Sequence, residues 1–401
     1  MTAILTLNAG SSSLKFSVYS SNSGLTVEAK GQVESLGPQA RLTFENGDRK
    51  TEQAVSADNH SDALQIILNT IEPILDSPHL SGIGHRVVHG GKYFQRPQLL
   101  TDTVVAELKQ LSSLAPLHQP GNLAGIAAAK AAFPKALQVG CFDTAFHRNH
   151  PWVNDTFALP RELYEAGIRR YGFHGLSYQY ITEKLCEDWP KIARGRVIVA
   201  HLGNGASLCA LQNCVSIGST MGFSALDGLP MGTRCGQLDP GVILYLLEQG
   251  ISTDDITTLL YKESGLKGLS GISHDMRTLL ESDAHHARQA VDYFTFRLKR
   301  EIGAMTAVLG GIDALVFCGG IGENAPAIRD GAVRDLDYLG LLIDEPANAC
   351  NETEISAGRV PILIIPTDEE RVIAQETERL VRAAKPGFHG TVRHSTMGAA
   401  L

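Results

Sequence analysis

Short apolar runs alternate along this chain with longer segments in which apolar residues recur every three or four positions. Runs of about four to eight residues are typical of buried β-strands, whereas the longer periodic segments are typical of amphipathic helices. The predicted strands cover residues 4–7, 14–19, 136–143, 197–203, 314–320 and 361–366. The predicted helices cover residues 61–75, 103–114, 122–133, 177–189, 241–250, 286–310 and 369–384. This alternation predicts an α/β protein.

Two segments half a chain length apart share one layout. ILTLNAGSSSLKFSV (4–18) and VIVAHLGNGASLCAL (197–211) each begin with an apolar strand, pass through a turn of Gly, Ser and Asn, and end in a second β-like run. Sequence identity between them is slight, so an internal duplication is a hypothesis. It predicts two related α/β domains that face each other, each with one hairpin in the cleft between them.

The length of 401 residues exceeds what one hydrophobic core usually organises, so two domains are expected. A stretch rich in proline and aromatic residues follows residue 148 and indicates the boundary. We expect a first domain over 1–148 and a second over 149–370, with the helix at 371–385 completing the first domain. The residues at 386–401 have no periodicity and are expected to form a frayed tail.

Charge and composition argue against several classes of partner. The formal net charge is −8 and no basic block occurs, so the electrostatic footprint of a nucleic-acid-binding protein is missing. There is no stretch of about 20 apolar residues, which predicts no membrane partner and a cytoplasmic location. The seven cysteines are scattered and never spaced C-x-x-C, which argues against a disulfide framework and a zinc ribbon.

Three glycine-rich loops follow apolar strands, at 8–13 (NAGSSS), 201–207 (HLGNGAS) and 319–324 (GGIGEN). Glycine turns bring backbone N–H groups close to an anion and can bind phosphate. None of the loops matches a P-loop or a Rossmann pattern, and each alone is also compatible with an ordinary turn. Together they predict a nucleotide cleft, in which Lys15 either contacts phosphate as a point charge or is an exposed strand lysine.

Two arginines stand among glycines, Arg86 in GHRVVHGG and Arg234 in MGTRCGQLDP, where we expect loops. The planar fork of arginine matches phosphate or carboxylate in a bidentate manner, so both suit an anionic substrate. The alternative is that they bind loop carbonyl groups. His85 and His89 have the spacing of a zinc pair on a helix, but the intervening valines favour a strand and argue against zinc.

Histidines and carboxylates in predicted loops add further candidates. His118 and His174 lie beside Pro, Gly and Phe, where a histidine is either a neutral core residue or a donor to a phosphoryl oxygen. Asp143 ends a predicted strand, where α/β active sites usually lie, or caps the following turn. The acidic run at 368–370 opens the last helix, and a carboxylate there could hold Mg²⁺ together with phosphates and water.

One ordered set of motifs spans residues 8–370: NAGSSSLKF, GHRVVHGG, APLH, FDTAFH, RRYGFHG, AHLGNGAS, MGTR, GGIGEN and IPTDEE. In this combination the chain resembles the acetate kinase family, which belongs to the sugar kinase, Hsp70 and actin superfamily. The resemblance implies two duplicated ββαβαβα domains, the first on the acyl side and the second binding nucleotide, and a homodimer. It also implies a reaction that interconverts acetate plus ATP with acetyl phosphate plus ADP and depends on Mg²⁺, for which Mn²⁺ can substitute.

The resemblance further implies roles for single residues. Asn8 and Glu369 are similar to the family's Mg²⁺ ligands, Arg86 to its carboxylate-binding arginine, and Asp143 to its catalytic acid or base. The residues similar to transition-state stabilisers and to a further active-site histidine are His174, Arg234 and His118. The implied surroundings of the acyl methyl group are Val88, Leu117 and Phe173. The implied nucleotide contacts are Ser11, Ser12, Lys15, His201, Leu202, Gly203, Asn204, Gly205, Asp275, Met276, Arg277, Gly320, Ile321, Gly322, Glu323 and Asn324.

The chemistry of the implied reaction refines one of these roles. Acetate is already ionised at neutral pH, so Asp143 has no proton to take from it, and we expect this carboxylate to orient the substrate or a metal-bound water molecule. Arg86 and Arg234 would offset the repulsion between acetate and ATP, because phosphoryl transfer depends mainly on positioning and cationic donors.

The chain departs from the family pattern in four motifs. HGLSY stands where HGTSH is common, which introduces Leu176 and Tyr178, and SALDGL stands for TPLEGL, which puts Ala225 where a pocket-lining proline is usual. CGQLDP stands for SGDIDP and TDEE for TNEE, which introduces Gln237 and Asp368. These changes leave the implied catalytic residues in place but put substrate breadth and metal affinity in question.

Two alternative functions stay open. A propionate kinase has the same build; Val88 favours acetate because a smaller residue would admit a longer chain, whereas Ala225 favours a larger pocket. A different class is an ATP-driven switch on the same fold, which we do not expect because few residues follow the last helix.

Overall fold

The structure, a computed structural model, describes residues 3–10, 13–21, 24–75, 80–116 and 118–384. The predicted contacts Ser11, Ser12 and Leu117 and the predicted tail at 386–401 lie outside the described residues. The strands are β1 (Ala3–Ala9), β2 (Ser13–Ser21), β3 (Leu25–Glu34), β4 (Arg41–Asn46), β5 (Arg49–Ala54), β6 (Leu80–Val87), β7 (Gln98–Leu99), β8 (Leu137–Phe142), β9 (Arg196–Leu202), β10 (Ala206–Gln212), β11 (Val215–Ser219), β12 (Ala314–Cys318) and β13 (Ile362–Ile364). The α-helices are α1 (His60–Ile71), α2 (Asp102–Gln110), α3 (Gln119–Ala132), α4 (Trp152–Asp155), α5 (Arg161–Glu165), α6 (Gly175–Asp188), α7 (Pro190–Ala193), α8 (Pro240–Glu248), α9 (Thr253–Thr258), α10 (Gly265–Ser270), α11 (Met276–Leu280), α12 (His285–Leu309), α13 (Gly319–Asn324), α14 (Pro326–Val333), α15 (Glu345–Ala349) and α16 (Glu369–Ala384).

The described residues form two mixed sheets, and five adjacent strands of the first, β3-β2-β1-β6-β8, have the same order as the whole second sheet. The order is β5-β4-β3-β2-β1-β6-β8-β7 in the first sheet and β11-β10-β9-β12-β13 in the second. In both sets of five, three antiparallel strands are followed by two strands that run parallel to the innermost of the three, namely β6 and β8 beside β1, and β12 and β13 beside β9. The first sheet also carries the antiparallel strands β4 and β5 at one edge and β7 at the other. This shared order confirms the predicted duplicated α/β architecture, to which each half adds a third antiparallel strand, β3 or β11.

The second sheet is covered by the longest helix of the described chain. Strand β12 is buried at every position, as expected of a parallel strand with both faces covered. On α12, the side chains of Ala287, Ala290, Phe294, Leu298 and Ile302 recur every three or four residues and are buried in the core that this helix shares with β9 and β10. Burial of a Phe or Leu side chain of this kind stabilises the fold by about 1.5–3 kcal/mol.

The first sheet is covered on both faces because consecutive residues of β1 point to opposite sides. Leu5 lies in the cluster that contains α1, and Ile4 lies in the cluster that contains α16. Helix α16 packs closely because β6 has a glycine beneath it: a Cβ at Gly84 would collide with Thr377. The position of α16 on this sheet supports the prediction that the C-terminal helix completes the first domain, and the domain limits themselves stay a prediction.

Some sequence expectations are corrected. Arg86 lies in strand β6 and not in a loop: the β-branched Val87 follows it and is the last residue of the strand. The predicted strand at 314–320 ends at Cys318, and helix α13 begins at Gly319, whose φ of +76° suits glycine. Strands β3 to β5 were not predicted, because β5 is exposed at every position and therefore has no apolar alternation.

None of the helices in the described ranges combines the length and the apolar content needed to cross a bilayer.

Candidate active site

One cavity of about 270 Å³ lies where the ends of the central strands of both sheets meet. Most of its lining is polar or charged. The lining residues are Asn8, Gly10, Ser13, Lys15, Arg86, His118, His174, His201, Gly203, Asn204, Gly205, Arg234 and Glu369. Both predicted hairpin turns therefore contribute to the same cavity, together with both glycine-flanked arginines.

The first hairpin brings Asn8 and Lys15 together. These residues are direct partners in the antiparallel pairing of β1 with β2, so their side chains leave the sheet on the same side. The backbone N–H of Gly10 donates to the carbonyl of Ser13 at 2.8 Å and closes the turn at its ends. Nε2 of His60 lies 2.8 Å from the carbonyl oxygen of Gly10, to which it donates a hydrogen bond.

Asn8 connects β1 to the start of α16. Its Nδ2 donates to Oε2 of Glu369 at 3.0 Å and to Oε1 of Glu370 at 2.9 Å. Burial alone would raise the pKa of Glu369, but Arg86, His201, Lys15 and the Asn8 hydrogen bond together outweigh burial and hold that pKa below its usual value. Burial raises the pKa of Glu370. The sequence had assigned no role to Glu370, because consecutive acidic residues at a helix start resemble an ordinary cap.

This group fits the oxygen ligands that Mg²⁺ prefers. Mg²⁺ is usually held by one or two carboxylates, with phosphates and water completing an octahedron. The carboxylates of Glu369 and Glu370 both accept from the amide nitrogen of Asn8, whose oxygen lies 3.4 Å from Nη1 of Arg86. Among the described residues, no group of three or more His, Cys, Asp or Glu side chains could hold a metal ion by itself. Nucleotide phosphates would therefore have to complete the coordination.

Arg86 and Asp143 form a bidentate pair at the ends of the parallel strands β6 and β8. Nη2 of Arg86 donates to Oδ2 of Asp143 at 2.6 Å, and Nε lies 3.2 and 3.1 Å from Oδ1 and Oδ2. Nη1 makes longer contacts to Oδ1 of Asn8 at 3.4 Å and to the carbonyl of Ala9 at 3.3 Å. The arginine thereby connects three strands of the first sheet.

Both members of this pair are charged at neutral pH. Burial works against a charge on Arg86, but Asp143 and Glu369 outweigh burial, and the pKa of Arg86 lies above its usual value. Burial raises the pKa of Asp143, and the Arg86 guanidinium opposes that increase. A guanidinium stays protonated in proteins and bonds both carboxylate oxygens, so we take Asp143 as ionised.

Arg234 and His174 face the second hairpin turn. Nη1 of Arg234 donates to the carbonyl of Ala225 at 2.9 Å, which fixes the side chain. A Cβ at Gly205 would lie 2.8 Å from Nη2 of Arg234 and 3.1 Å from Nε2 of His174, so glycine is required for this close approach. Burial lowers the pKa of Arg234 to about 10, opposed by Tyr261, and leaves it cationic at pH 7.

The three histidines of the cavity are neutral at physiological pH. Burial lowers the pKa of His118 to about 3, and that of His201 to about 4. Burial, followed by the neighbouring His201, lowers the pKa of His174 well below its usual value. His174 and His201 stack with ring centroids 4.3 Å apart and an interplanar angle of 23°. Each can therefore offer one N–H, and not two, to an anion.

The apolar residues implied to surround the acyl methyl group are close in sequence to residues that line the cavity. Val88 and Phe173, which follow and precede the lining residues Arg86 and His174 closely in sequence, are both buried in one apolar cluster. Ala225 is half-buried against the same cluster. Neither Val88 nor Phe173 is part of the cavity lining, so their contact with the acyl group stays a prediction, and Leu117 lies outside the described residues.

Among the described residues, the cavity lining does not include the predicted nucleotide contacts of 275–277 and 320–324. Helix α13 nevertheless begins against the end of β9, where a Cβ at Gly319 would collide with the backbone of Leu202. Asp275 caps α11 and pairs with the exposed Arg277 at 2.7 Å. Oε1 of Glu323 accepts from the backbone N–H groups of Gly319 and Thr367, at 2.8 and 3.2 Å, and so performs a structural task.

The departures from the family pattern have separate surroundings. Leu176, on α6, is buried against β8 and α16. The carboxylate of Asp368 accepts from the backbone N–H of Arg371 at 3.0 Å and caps α16. Oε1 of Gln237 accepts from Arg297 on α12 at 3.0 Å, away from the cavity. The hydroxyl of Tyr178 is hydrogen-bonded to the hydroxyl of Ser207, a residue of the glycine loop at 201–207 for which the sequence predicted no individual role.

Comparisons with known proteins point to one family. A family model described as the Acetokinase family matches residues 3–375. An acetate kinase of Methylocella silvestris is 51% identical over 396 residues, covering 94% of this chain and 98% of that protein. The crystal structure of a propionate kinase from Francisella tularensis has a TM-score of 0.88 at 36% identity, covering 94% of this chain and 100% of that one. The structure of Porphyromonas gingivalis acetate kinase has a TM-score of 0.82 at 35% identity, covering 95% and 100%.

Proposed function

The chain belongs to the acetokinase family, and we propose that it is a phosphotransferase with a carboxyl group as acceptor, which passes a phosphoryl group reversibly between ATP and acetate and forms acetyl phosphate and ADP. One observation carries this function: two arginines, three histidines and a lysine meet a glycine turn from each sheet in one cavity. Acetate and ATP are both anions, so a site that joins them needs this concentration of cationic and N–H donors.

On the acyl side, Arg86 binds the carboxylate of acetate. Its side chain is only 14% exposed, and that exposure lies in the cavity. Asp143 holds the guanidinium and orients it, and it does not serve as a base, since acetate is already ionised. The buried side chains of Val88 and Phe173 border the methyl group.

At the reacting phosphoryl group, His174 and Arg234 donate to the oxygens on which charge develops. Both face Gly205, whose lack of a side chain leaves room for a phosphate. His118 borders the same space. A loose transition state spreads charge over three equatorial oxygens, so positioned donors of this kind supply most of the catalysis.

On the nucleotide side, Lys15 and the backbone N–H groups of the turn at 203–205 hold the phosphates. Helix α13 and the Asp275–Arg277 pair border the adenosine, which the proximity of α13 to the end of β9 supports. Asn8, Glu369 and Glu370 hold Mg²⁺ together with the phosphates. Bound there, Mg²⁺ neutralises charge on the transferring phosphates.

We also propose a homodimer in the cytoplasm. Helix α8 has no buried residue in the described chain, and four of its large apolar side chains, Val242, Leu244, Tyr245 and Leu247, are 40–62% exposed. An apolar patch of this kind favours burial against a second copy. All seven cysteines are free, which suits a reducing compartment.

Propionate is the second candidate acceptor. The high TM-score with the Francisella tularensis propionate kinase and the small Ala225 beside the acyl cluster both favour it. One methylene in an apolar pocket changes the transition-state free energy by only about 1–3 kcal/mol, so the two activities can overlap.

The test traps the acyl phosphate with hydroxylamine while ADP is measured in the same sample. We expect acetyl hydroxamate and ADP to form in equal amounts, and no hydroxamate without ATP. ADP without hydroxamate would contradict the kinase function and favour an ATP-driven switch.

A further inference from the structure

The two stacked histidines of the cavity are each held at Nδ1 by a serine hydroxyl. Nδ1 of His174 lies 2.8 Å from Oγ of Ser207, and Nδ1 of His201 lies 2.8 Å from Oγ of Ser177. The arrangement is crosswise: Ser207 is the pairing partner of His201 in the β9–β10 hairpin, and Ser177 lies on α6, which His174 precedes.

Each serine is bound in turn by a second hydroxyl group. Oη of Tyr178 lies 2.5 Å from Oγ of Ser207, and Oγ1 of Thr367 donates to Oγ of Ser177 at 2.8 Å. Tyr178 and Ser207 are fully buried, so water does not compete for their hydroxyl groups. Two parallel chains of hydrogen bonds therefore end on the two imidazole rings.

The chemistry of the groups determines which atom donates in each hydrogen bond of the series from Tyr178 through Ser207 to His174. A phenol is a stronger donor and a weaker acceptor than an aliphatic alcohol, and burial raises the pKa of Tyr178 well above its usual value, so it keeps its proton. Tyr178 therefore donates to Ser207. The serine proton is then free to be donated to Nδ1 of His174, which must accept it.

A neutral imidazole that accepts at Nδ1 has its proton on Nε2. Nε2 of His174 is the atom that faces Gly205 of the phosphate turn. The opposite tautomer would direct a lone pair towards a bound phosphate and repel it.

We propose that Tyr178 and Ser207 are positioning residues that hold His174 in the Nε2–H tautomer, and that Thr367 and Ser177 do the same for His201, so that both rings donate to the nucleotide phosphates. This role rests on the proposed phosphoryl transfer for its effect on rate, whereas the tautomers themselves belong to the resting protein. Two neutral donors stacked in this way avoid the repulsion that two imidazolium rings would have at 4.3 Å.

The test is Tyr178→Phe, which removes the hydroxyl and keeps the ring. We expect kcat to fall by about 10- to 100-fold in both directions, the range of one lost donor or general acid, while KM for acetate and ATP changes less than twofold. In protein labelled with ¹⁵N-histidine, two-bond ¹H–¹⁵N correlations should move His174 from pure Nε2–H to a mixture of tautomers. The matched control is Tyr180→Phe, on the same helix and half-buried, which should leave both readouts unchanged.

Three outcomes would overturn the proposal: an unchanged kcat, a lower kcat with the His174 tautomer unaltered, or a mixed tautomer in the unmodified protein. If Tyr178→Phe does not fold, Thr367→Val tests the hydrogen bonds from Thr367 through Ser177 to His201 with a side chain of the same shape. His201 should then change tautomer while His174 does not. Absence of acetyl hydroxamate with the unmodified protein would reject the proposed function, but the tautomer spectra would still decide this proposal.

A separate observation concerns two cysteines at the far end of α6. Sγ of Cys186 lies 2.9 Å from Sγ of Cys214, closer than two sulfur atoms in simple contact, and Cys186 is exposed. Cys214 lies in the two-residue turn between β10 and β11, where Gln212 pairs with Val215. Its φ of +63° is a conformation for which such turns favour glycine, so a cysteine at this position costs stability.

We propose that Cys186 and Cys214 form a reversible disulfide with hydrogen peroxide as the oxidant. The Cys186 thiolate attacks one peroxide oxygen and becomes a sulfenic acid while the other oxygen leaves as water after protonation. The Cys214 sulfur, whose pKa burial raises to about 12, then attacks the sulfenic sulfur, and its proton leaves with the sulfenic oxygen as a second water.

This is tested in Cys350→Ser, which removes the other exposed cysteine. Peroxide should lower the thiol count of the unfolded protein by two, dithiothreitol should restore it, and peptide mapping should find one cross-link between residues 186 and 214. Adding Cys186→Ser should abolish the cross-link. Loss of thiols without this cross-link, or no loss at all, would overturn the proposal.

Discussion

Asp143 occupies two of the three nitrogens of Arg86: Nη2 of the arginine lies 2.6 Å from Oδ2, and Nε lies within 3.2 Å of both carboxylate oxygens. Only Nη1 has partners at longer distances, 3.3 and 3.4 Å. Arg86, the proposed binding residue for acetate, is thus already oriented by the carboxylate of Asp143. Acetate would bind Nη1 of Arg86 without displacing Asp143. The structure shows Asp143 orienting Arg86, whereas its expected action on the substrate or on a metal-bound water molecule stays a prediction.

Arg86→Ala should lower kcat/KM for acetate by about 10³-fold or more, because a positioned arginine in phosphoryl transfer is worth about 10³–10⁵. It also leaves Asp143 buried without its partner, which destabilises a protein by about 3–5 kcal/mol. Adding Asp143→Asn should restore stability in urea unfolding but not activity. Near-normal turnover in Arg86→Ala would contradict the proposed role.

Gly205→Ala should lower kcat by at least about 10-fold, because the added Cβ would lie 2.8 Å from Nη2 of Arg234 and 3.1 Å from Nε2 of His174. Gly303→Ala is the matched control: Gly303 lies inside α12 with nothing within 4 Å of an added Cβ, so the alanine should stabilise the helix by about 0.5–1 kcal/mol. Steady-state kinetics and thermal unfolding distinguish the two effects. Equal activity of both variants would contradict the close approach at Gly205.

Elements that depend on short-range sequence patterns could be predicted from the sequence, whereas contacts between residues far apart in the chain left no local pattern. Helix α16 was predicted with its observed limits, because its amphipathic pattern is strong. The family resemblance implied that Asn8 and Glu369 share a Mg²⁺ site, but no local pattern predicts their contact across 361 residues, because it results from the packing of α16 on the first sheet. The stacking of His174 on His201 likewise has no local signal, since it joins a residue before a helix to a residue on another strand.

Glu369→Gln should raise the Mg²⁺ concentration needed for half-maximal rate by about 10-fold or more, because an amide is a weaker ligand for a hard cation than a carboxylate. Asp368→Asn is the control, since Asp368 only caps α16 and an asparagine oxygen can keep that hydrogen bond. The rate is measured against free Mg²⁺ at constant ionic strength. A Mg²⁺ dependence that changes for Asp368→Asn and not for Glu369→Gln would reassign the metal site.

Val88→Ala should shift the acyl preference towards propionate by about 10-fold in the ratio of kcat/KM values, since removal of two methyl groups from a buried side chain makes room for one methylene. Acetate, propionate and butyrate are compared under the same conditions, and Val153→Ala, an exposed valine, serves as the control. An unmodified protein that already prefers propionate would overturn acetate as the proposed acceptor.

Buried neutral histidines predict a loss of stability on mild acidification. Burial lowers the pKa of His85 and of His147 to about 4 in the folded protein, against about 6.5 in the unfolded chain. Between pH 4 and 6.5 the unfolded state binds more protons than the folded state. The free energy of unfolding is therefore highest above pH 6.5 and decreases as the pH falls towards 4. Each such histidine lowers the free energy of unfolding by up to about 1.4 kcal/mol for each pH unit of acidification in this range.

His85 is suited to a test because it lies on β6 and donates from a ring nitrogen to Oε1 of Gln138 at 2.7 Å, outside the lining of the cavity. His85→Asn keeps an N–H donor but does not titrate, so its unfolding free energy should depend less steeply on pH between 5 and 6.5 than that of the unmodified protein. Urea unfolding at three pH values measures the slopes, and identical slopes for His85→Asn and the unmodified protein would show that this histidine is already protonated in the fold.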